Sequence, residues 1–250
     1  MNRILVLDIL NMDLPKLPGI SYKRHRYPSS IISYALWLYH RMPISLRLVE
    51  EALSYRGLDI SYETIRRWSN KFSGIIANQL RKKRSKPKGK WHVDEVHIKI
   101  KGQKYWLWRA IDEDGVELDI LLQPRRNAQA AIRFFKKLLD NYDQPRIIIS
   151  DKLKSYPKAI KNLMPSAEHR RHKGLNNQIE VSHQPTRLFE KAKRKFKHPP
   201  NTQLFLTLQG QLRNHFALSR HLITRQDYKN KITQALNIWN DVTQPQVNYA

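Results

Sequence analysis

Residues 90–101 read KWHVDEVHIKIK, and the alternation of apolar and polar side chains along this run predicts a β-strand. Period-two counting places Asp94 on one face with Val96, Ile98 and Ile100, and Glu95 on the opposite face. A carboxylate therefore stands on a mainly apolar sheet face. Working outward, residues 147–150 are Ile-Ile-Ile-Ser, a β-branched run of the kind buried on both sides of a sheet, and Asp151 follows at its C-terminal end. Open α/β sheets place their sites at such strand ends. Residues 174–184, GLNNQIEVSHQ, predict a short helix opened by Asn176 or Asn177, on which Glu180 and His183 share a face. An ionised carboxylate on an apolar face needs a compensating partner, and a hard divalent cation such as Mg²⁺ supplies one. Asp94, Asp151 and Glu180 could together hold two such ions roughly 3.5–4 Å apart, an arrangement suited to phosphoryl transfer.

Composition points the same way. The 250 residues suffice for one large domain or two to three smaller ones. Lys and Arg number 46 against 21 Asp and Glu, a net charge of +25, and such an excess implies a polyanionic partner, of which nucleic acid is the commonest. Ten of the 21 acids nonetheless fall between Asp94 and Asp151, so the most acidic region lies inside a basic protein. With no cysteine, disulfides, iron–sulfur clusters and cysteine-ligated zinc are excluded, and a reducing cytoplasm is compatible. Asp8 and Asp13 interrupt the opening apolar run, which is not read as a signal peptide, and no stretch approaches the ~20 apolar residues of a membrane span.

Along the chain, residues 1–24 form an arm to which no role is assigned. Residues 25–78 carry three helical pieces. Ser29 or Ser30 can cap the first; Ser45 can cap the second, with Leu46, Leu48, Val49 and Leu53 inward and Gly57 as its stop; Ser61 can cap the third. This pattern fits a helix-turn-helix whose third helix presents Arg66, Arg67, Asn70 and Lys71 to a DNA major groove while Ile65 and Trp68 face inward. Residues 79–90, QLRKKRSKPKGK, hold seven basic residues and no acid, and read as a linker able to track phosphates.

The segment 91–198 predicts three antiparallel strands, a helix capped by Asn127, the strand ending at Asp151, a helix over 153–163, a short strand near Glu168–Arg171 and the helix of Glu180. The order β-β-β-α-β-α-β-α implies an α/β mixed sheet with helices on its faces, as in the ribonuclease H fold. Pro185 should kink or end the Glu180 helix, and Thr186 could start a basic helix whose Arg187, Lys191 and Arg194 grip a DNA backbone. Residues 199–250 read as a closing helical cover.

The motifs WHVDEVHIKIKGQKYWLWRAID (91–112), SDKLKSY (150–156), EHRRHKGLNNQIEVSHQPTR (168–187) and NHF (214–216) resemble those of the DDE transposases of bacterial insertion sequences, closest to insertion-sequence family six, whose core is similar to retroviral integrases. The resemblance spans roughly Arg26 to His221. It implies that Asp94, Asp151 and Glu180 are the catalytic triad holding two Mg²⁺ or Mn²⁺ ions. It further implies cleavage at transposon ends, transfer of the freed 3′-hydroxyl into target DNA, recognition of terminal inverted repeats by the helix-turn-helix, and assembly as a homodimer or higher homo-oligomer on DNA. A cytoplasmic protein at the bacterial nucleoid is expected. The interval of 28 residues between Asp151 and Glu180 is shorter than usual for that family. Lys152 and Lys173 are placed as phosphate contacts.

Other constellations compete. Glu95 is an alternative ligand in place of its neighbour Asp94, and Glu168 and Glu190 are alternatives to Glu180; Asp112 to Asp114 read as a turn; His169, His172 and His183 lack a cysteine partner for zinc; and Trp106 and Trp108 read as core. No Walker or GxGxxG pattern supports a nucleotide cofactor. A non-catalytic helix-turn-helix protein, a nuclease of the same fold and an inactive transposase copy are the readings that stand against an active transposase.

Overall fold

The computed structural model describes residues 20–87, 89–151, 153–171, 177–218 and 222–245, with backbone alone at positions 177, 178 and 180. Its elements are α1 (Ser29–Arg41), α2 (Leu46–Ser54), α3 (Tyr62–Lys82), β1 (Lys90–Ile100), β2 (Gln103–Asp112), β3 (Glu117–Gln123), α4 (Ala128–Leu139), β4 (Ile147–Ser150), α5 (Ser155–Leu163), β5 (Glu168–Arg171), α6 (Asn177–Ser182), α7 (Gln184–Ala192), α8 (Pro199–Phe216) and α9 (Arg225–Thr243). The sheet order is β3-β2-β1-β4-β5. β1, β2 and β3 pair antiparallel, while β4 runs parallel to β1 and β5 parallel to β4. This is the ribonuclease H-like topology that the order of elements predicts.

The alternation along β1 sorts its side chains as expected. Trp91 and Val93 face a cluster with Trp108, Ile148, Phe134 and Phe135 of α4, and Tyr156 and Ile160 of α5. Val96, Ile98 and Ile100 face a second cluster closed by Phe189 of α7 and Phe205 and Leu206 of α8. Helices thus cover both faces, and the fully buried Ile148 shows why β4 is a continuous apolar run. Asn127 caps α4 by accepting from the Ala130 amide at 3.0 Å.

The helices before the sheet form a third core, in which Ile32, Leu36, Val49, Leu53, Ile65, Trp68 and Phe72 meet. Ser45 and Ser61 cap α2 and α3 as expected. Gly57, with φ of +73°, stops α2 in a Schellman turn, its amide bonding the Ser54 carbonyl and that of Leu58 the Leu53 carbonyl. Two local expectations fail. Pro28, not a serine, precedes α1, so no side chain caps it. Leu48 is half exposed because the inward stripe of α2 runs through Val49 and Leu53, with Leu46 only partly buried against it.

Larger departures concern the boundaries. α3 continues to Lys82 and fully buries Leu80, so the expected linker at Gln79 begins inside a helix. Two of its arginines serve the fold: Arg81 is buried against Asp119 at 3.3 Å, and Arg84 donates to the Glu117 carbonyl at 3.2 Å. Lys83 pairs with Asp241, Lys86 with Asp143 and Lys90 with Glu113. The run alone suggests phosphate binding because these acidic partners are distant in sequence. The closing helices also complete the N-terminal helical core. Ala235, Trp239 and Val242 of α9 and Leu208, Leu212 and Phe216 of α8 pack into the core of the N-terminal helices. Ile20 joins that core and the Tyr22 hydroxyl donates to the Thr243 carbonyl at 2.8 Å, so the last residues of the N-terminal arm are held by α9.

His40 sits where this helical core meets α8. It is fully buried, its Nδ1 lies 3.3 Å from the Phe205 carbonyl, and its Nε2 lies 3.0 and 3.1 Å from the hydroxyls of Ser69 and Ser73. A neutral ring satisfies all three by donating from Nδ1 and accepting at Nε2. Burial, reinforced by the nearby Lys193 ammonium, holds its pKa well below the imidazole value, against the opposing pull of the Phe205 carbonyl. The unfolded chain protonates this ring near pH 6.5 while the folded chain does not, so its contribution to stability is intact above that pH and lost as pH falls below it. We expect denaturant melts between about pH 7.5 and 5.5 to show this loss, with His40→Asn flattening the slope by up to about 1.4 kcal/mol per pH unit.

Candidate active site

β4 pairs with β1 only as far as Ser150 opposite Val93. Immediately beyond that last rung, β1 carries Asp94 and Glu95 while the other chain leaves the sheet through Asp151. Carboxylate oxygens of Asp94, Glu95 and Asp151 there lie within 4.8 Å of one another. The strand-end position expected of Asp151 brings it to Asp94, and its Oδ1 accepts from the Leu153 amide at 2.9 Å, a short loop contact that fixes the carboxylate.

The three acids differ in what they touch. Asp94 and Asp151 keep part of their side chains exposed, whereas the Glu95 side chain is fully buried. Both Glu95 oxygens are engaged, Oε1 by the Arg126 guanidinium and Oε2 by the Tyr156 hydroxyl. Arg126 also reaches Asp151 Oδ2 at 3.5 Å and lies over the Trp106 ring, 4.8 Å from its centroid. Burial raises the Glu95 pKa to about 7, with Tyr156 and Arg126 opposing that rise and Asp151 and Asp94 adding to it. Burial and the same carboxylate push the Tyr156 phenol well up. Alternation correctly put Glu95 on the face away from Asp94; the convergence arises because the sheet is open beyond β4, which a face assignment does not register.

On the other face, His183 at the junction of α6 and α7 points Nε2 at Asp94 Oδ2, 3.2 Å away. Burial lowers its pKa, the Asp94 contact opposes that and Arg109 adds to it. α6 packs on β1 and β2, and the backbone of Glu180 lies on it; the Glu180 side chain is outside the described residues. So are Lys152 and Lys173, and the expected cap at Asn176. The donor set fits a hard cation: the converging groups are carboxylates, and Asp94 and Asp151 keep part of their side chains open to solvent, with the Arg126 guanidinium mainly engaged by Glu95.

The described residues among the expected DNA contacts fall in two places. Arg66, Arg67 and Lys71 are exposed on α3, with Asn70 half-buried beside them; Glu63 pairs with Arg66 at 2.6 Å and approaches Arg67 at 3.7 Å. Arg187, Lys191 and Arg194 are exposed around α7. Arg187 pairs with Glu190 at 2.9 Å and donates to the His97 carbonyl at 2.9 Å. The basic helix is shorter than expected: Pro185 ends the Glu180 helix and sits in the first turn of α7, which begins at Gln184 and stops at Ala192, after which Arg194 and Lys195 take positive φ. Thr186 does not cap this helix but is buried, accepting from Arg109. Arg109 and Arg126 were missed by sequence reasoning, although an arginine inside the apolar strand YWLWRAI signalled that something buried required it.

Among the described residues no helix is long and apolar enough to cross a membrane. A family model described as a DDE domain matches residues 88–218, just over half of the chain. The transposase for insertion sequence-like element IS431mec of Staphylococcus aureus is 33% identical over 170 residues, covering 66% of this chain and 76% of its own. The transposase for insertion sequence element IS257 in transposon Tn4003, also from Staphylococcus aureus, matches with the same identity and coverage. Among solved structures, the HTLV-2 integrase catalytic core domain in complex with magnesium aligns with a TM-score of 0.41 and 15% identity, over 57% of this chain and 97% of that one. On the extent of the DDE-domain match and the identity to the two insertion-sequence proteins, the chain belongs to the DDE transposases of bacterial insertion sequences, enzymes of polynucleotidyl transfer.

Proposed function

We propose that this transposase cuts DNA at transposon ends and joins the freed 3′-hydroxyl to target DNA, with Asp94, Asp151 and Glu180 as its catalytic carboxylates. The observation that carries this reading is the convergence of Asp94 and Asp151 at the end of β4, with α6, the helix on which Glu180 lies, packed against β1. The three carboxylates would hold Mg²⁺ or Mn²⁺, two ions in all, which supply Lewis-acid stabilisation of the attacking and leaving oxygens. The chain's own part is positional. The Leu153 amide fixes Asp151, His183 fixes Asp94, and Arg126 stands beside both Glu95 and Asp151 where a scissile phosphate would add negative charge.

Double-stranded DNA is the partner. The exposed Arg66, Arg67 and Lys71 with Asn70 on α3 suit a major groove at the terminal inverted repeats, and Arg187, Lys191 and Arg194 suit a backbone nearer the carboxylates. Lys152 and Lys173 belong to this reading as further phosphate contacts. Pairing two transposon ends calls for a homodimer or higher homo-oligomer on the DNA. The test is product analysis with an oligonucleotide ending in the element's own terminal repeat and a 3′-hydroxyl, incubated with plasmid target and Mg²⁺. Joined end–target molecules are expected. Nicked strands with no joined product would make the protein a nuclease, and DNA binding without either product would remove the catalytic reading.

A further inference from the structure

Register places Arg109 of β2 directly opposite Asp94 of β1, on the same face. Its guanidinium is almost wholly buried, a costly position unless charge and hydrogen bonds compensate. Glu117 supplies the charge, its Oε2 lying 3.0 Å from Arg109 Nε. A shift in register between Ala110 and Ile111 makes Leu118 an extra residue in β3, and this bulge brings Glu117 beside the arginine. α8 is notched to receive the carboxylate. A Cβ added at Gly210 would stand 1.6 Å from Glu117 Oε1, and Asn214 of the same helix clamps the Glu117 backbone, accepting from its amide at 2.9 Å and donating to its carbonyl at 2.8 Å.

The other end of Arg109 is spent on the corner between α6 and α7. Nη1 donates to the Ser182 carbonyl, with the Ser182 hydroxyl at 3.5 Å, and Nη2 donates to Thr186 Oγ1 at 2.6 Å. Arg213 of α8 donates to the same Ser182 carbonyl at 3.1 Å. Nη1 also lies 3.2 Å from His183 Nδ1. A guanidinium can only donate, so His183 Nδ1 must accept there and its ring proton must sit on Nε2, the atom 3.2 Å from Asp94 Oδ2.

We infer that Arg109, held by Glu117 in the notch at Gly210, is a positioning residue of the transposase: it fixes the α6–α7 corner and the tautomer of His183, so that His183 aims its Nε2–H at the Asp94 carboxylate. The inference rests on the assignment of Asp94 to the active site. Arg109 touches no reacting atom and acts through His183 and the corner.

The test uses the full chain. Arg109→Met alone would strand Glu117 in the core, so the informative variant is the double Arg109→Met/Glu117→Met, which removes both charges and keeps most of the volume. It is expected to melt within a few degrees of wild type and to bind the terminal repeat as tightly, yet to join a 3′-hydroxyl end to target about 100-fold more slowly in single turnover. A folded double variant within about threefold of wild type overturns the inference. Histidine-ring ¹⁵N NMR decides independently, even if the double variant does not fold: in the wild type His183 should be the Nε2–H tautomer, and finding the Nδ1–H tautomer overturns it. Asp94→Asn separates the two levels. If that variant stays active, the active-site assignment itself fails; if it is dead while the double variant is fully active, the positioning role alone fails.

Discussion

Asp94→Asn lowers strand transfer by roughly 10³-fold or more, equivalent to about 4 kcal/mol of transition-state stabilisation, while leaving the fold and DNA-end binding intact. The fold should be indifferent because Asp94 is partly exposed and asparagine can still accept from His183. Stability in the absence of metal should even rise. Three carboxylates whose oxygens lie within 4.8 Å repel one another, and neutralising one relieves that repulsion. Divalent cations should reverse the ranking: adding Mg²⁺ raises the melting midpoint of wild type by mass action on the folded state and does little for the variant. Thermal melts with and without Mg²⁺, set beside a strand-transfer assay on the same preparations, give the comparison. A variant that loses activity only because it unfolds would contradict the role assigned to this carboxylate.

The second large effect distinguishes the two residues that compete for third place. Glu180→Gln should cost roughly 10³-fold in strand transfer, whereas Glu95→Gln should cost less than about 10-fold. Glu95 belongs to the group of three that converge, yet both of its oxygens already accept from Arg126 and Tyr156, and the side chain is buried. Ligation by Glu95 would therefore require breaking two contacts in an apolar pocket. Its pKa of about 7 also means that the neutral form, which glutamine imitates, is close at hand. The residue is better suited to orienting Arg126 than to holding a cation. Rates measured for the two variants at saturating Mg²⁺ settle the choice, and the reverse pattern would transfer the third ligand to Glu95.

What the sequence disclosed follows from how local each signal is. Alternation in residues 90–101 located Asp94 on the face of Val96, Ile98 and Ile100, and the cluster with Phe189 and Phe205 covers that face. The caps at Ser45, Ser61 and Asn127 and the stop at Gly57 involve atoms within five residues, so they were legible. The inward set of α3 was legible for the same reason. What was missed depends on residues far apart in the chain. Arg81 stands in a basic run that by itself suits phosphates, and its partner Asp119 lies in a distant strand; α9 reads only as a closing cover, and the N-terminal helices that receive Trp239 are nearly the whole chain away. Glu95 joined Asp94 and Asp151 because β4 stops one rung short, a feature of pairing that no single strand encodes. The Arg109 contacts reach Glu117, Thr186 and the Ser182 carbonyl from three separate elements, and a one-dimensional pattern shows only that an arginine interrupts an apolar strand.

The central claim is that Asp94, Asp151 and Glu180 share divalent ions at the end of β4. Anomalous diffraction from crystals of the full chain grown with Mn²⁺ and a terminal-repeat duplex tests it most directly. The account predicts two manganese peaks, each within coordination distance, about 2.0–2.3 Å, of Asp94, Asp151 or Glu180 oxygens, with Glu95 still bonded to Arg126 and Tyr156. Peaks elsewhere, or a site there completed by Glu95 with Glu180 turned away, would contradict it.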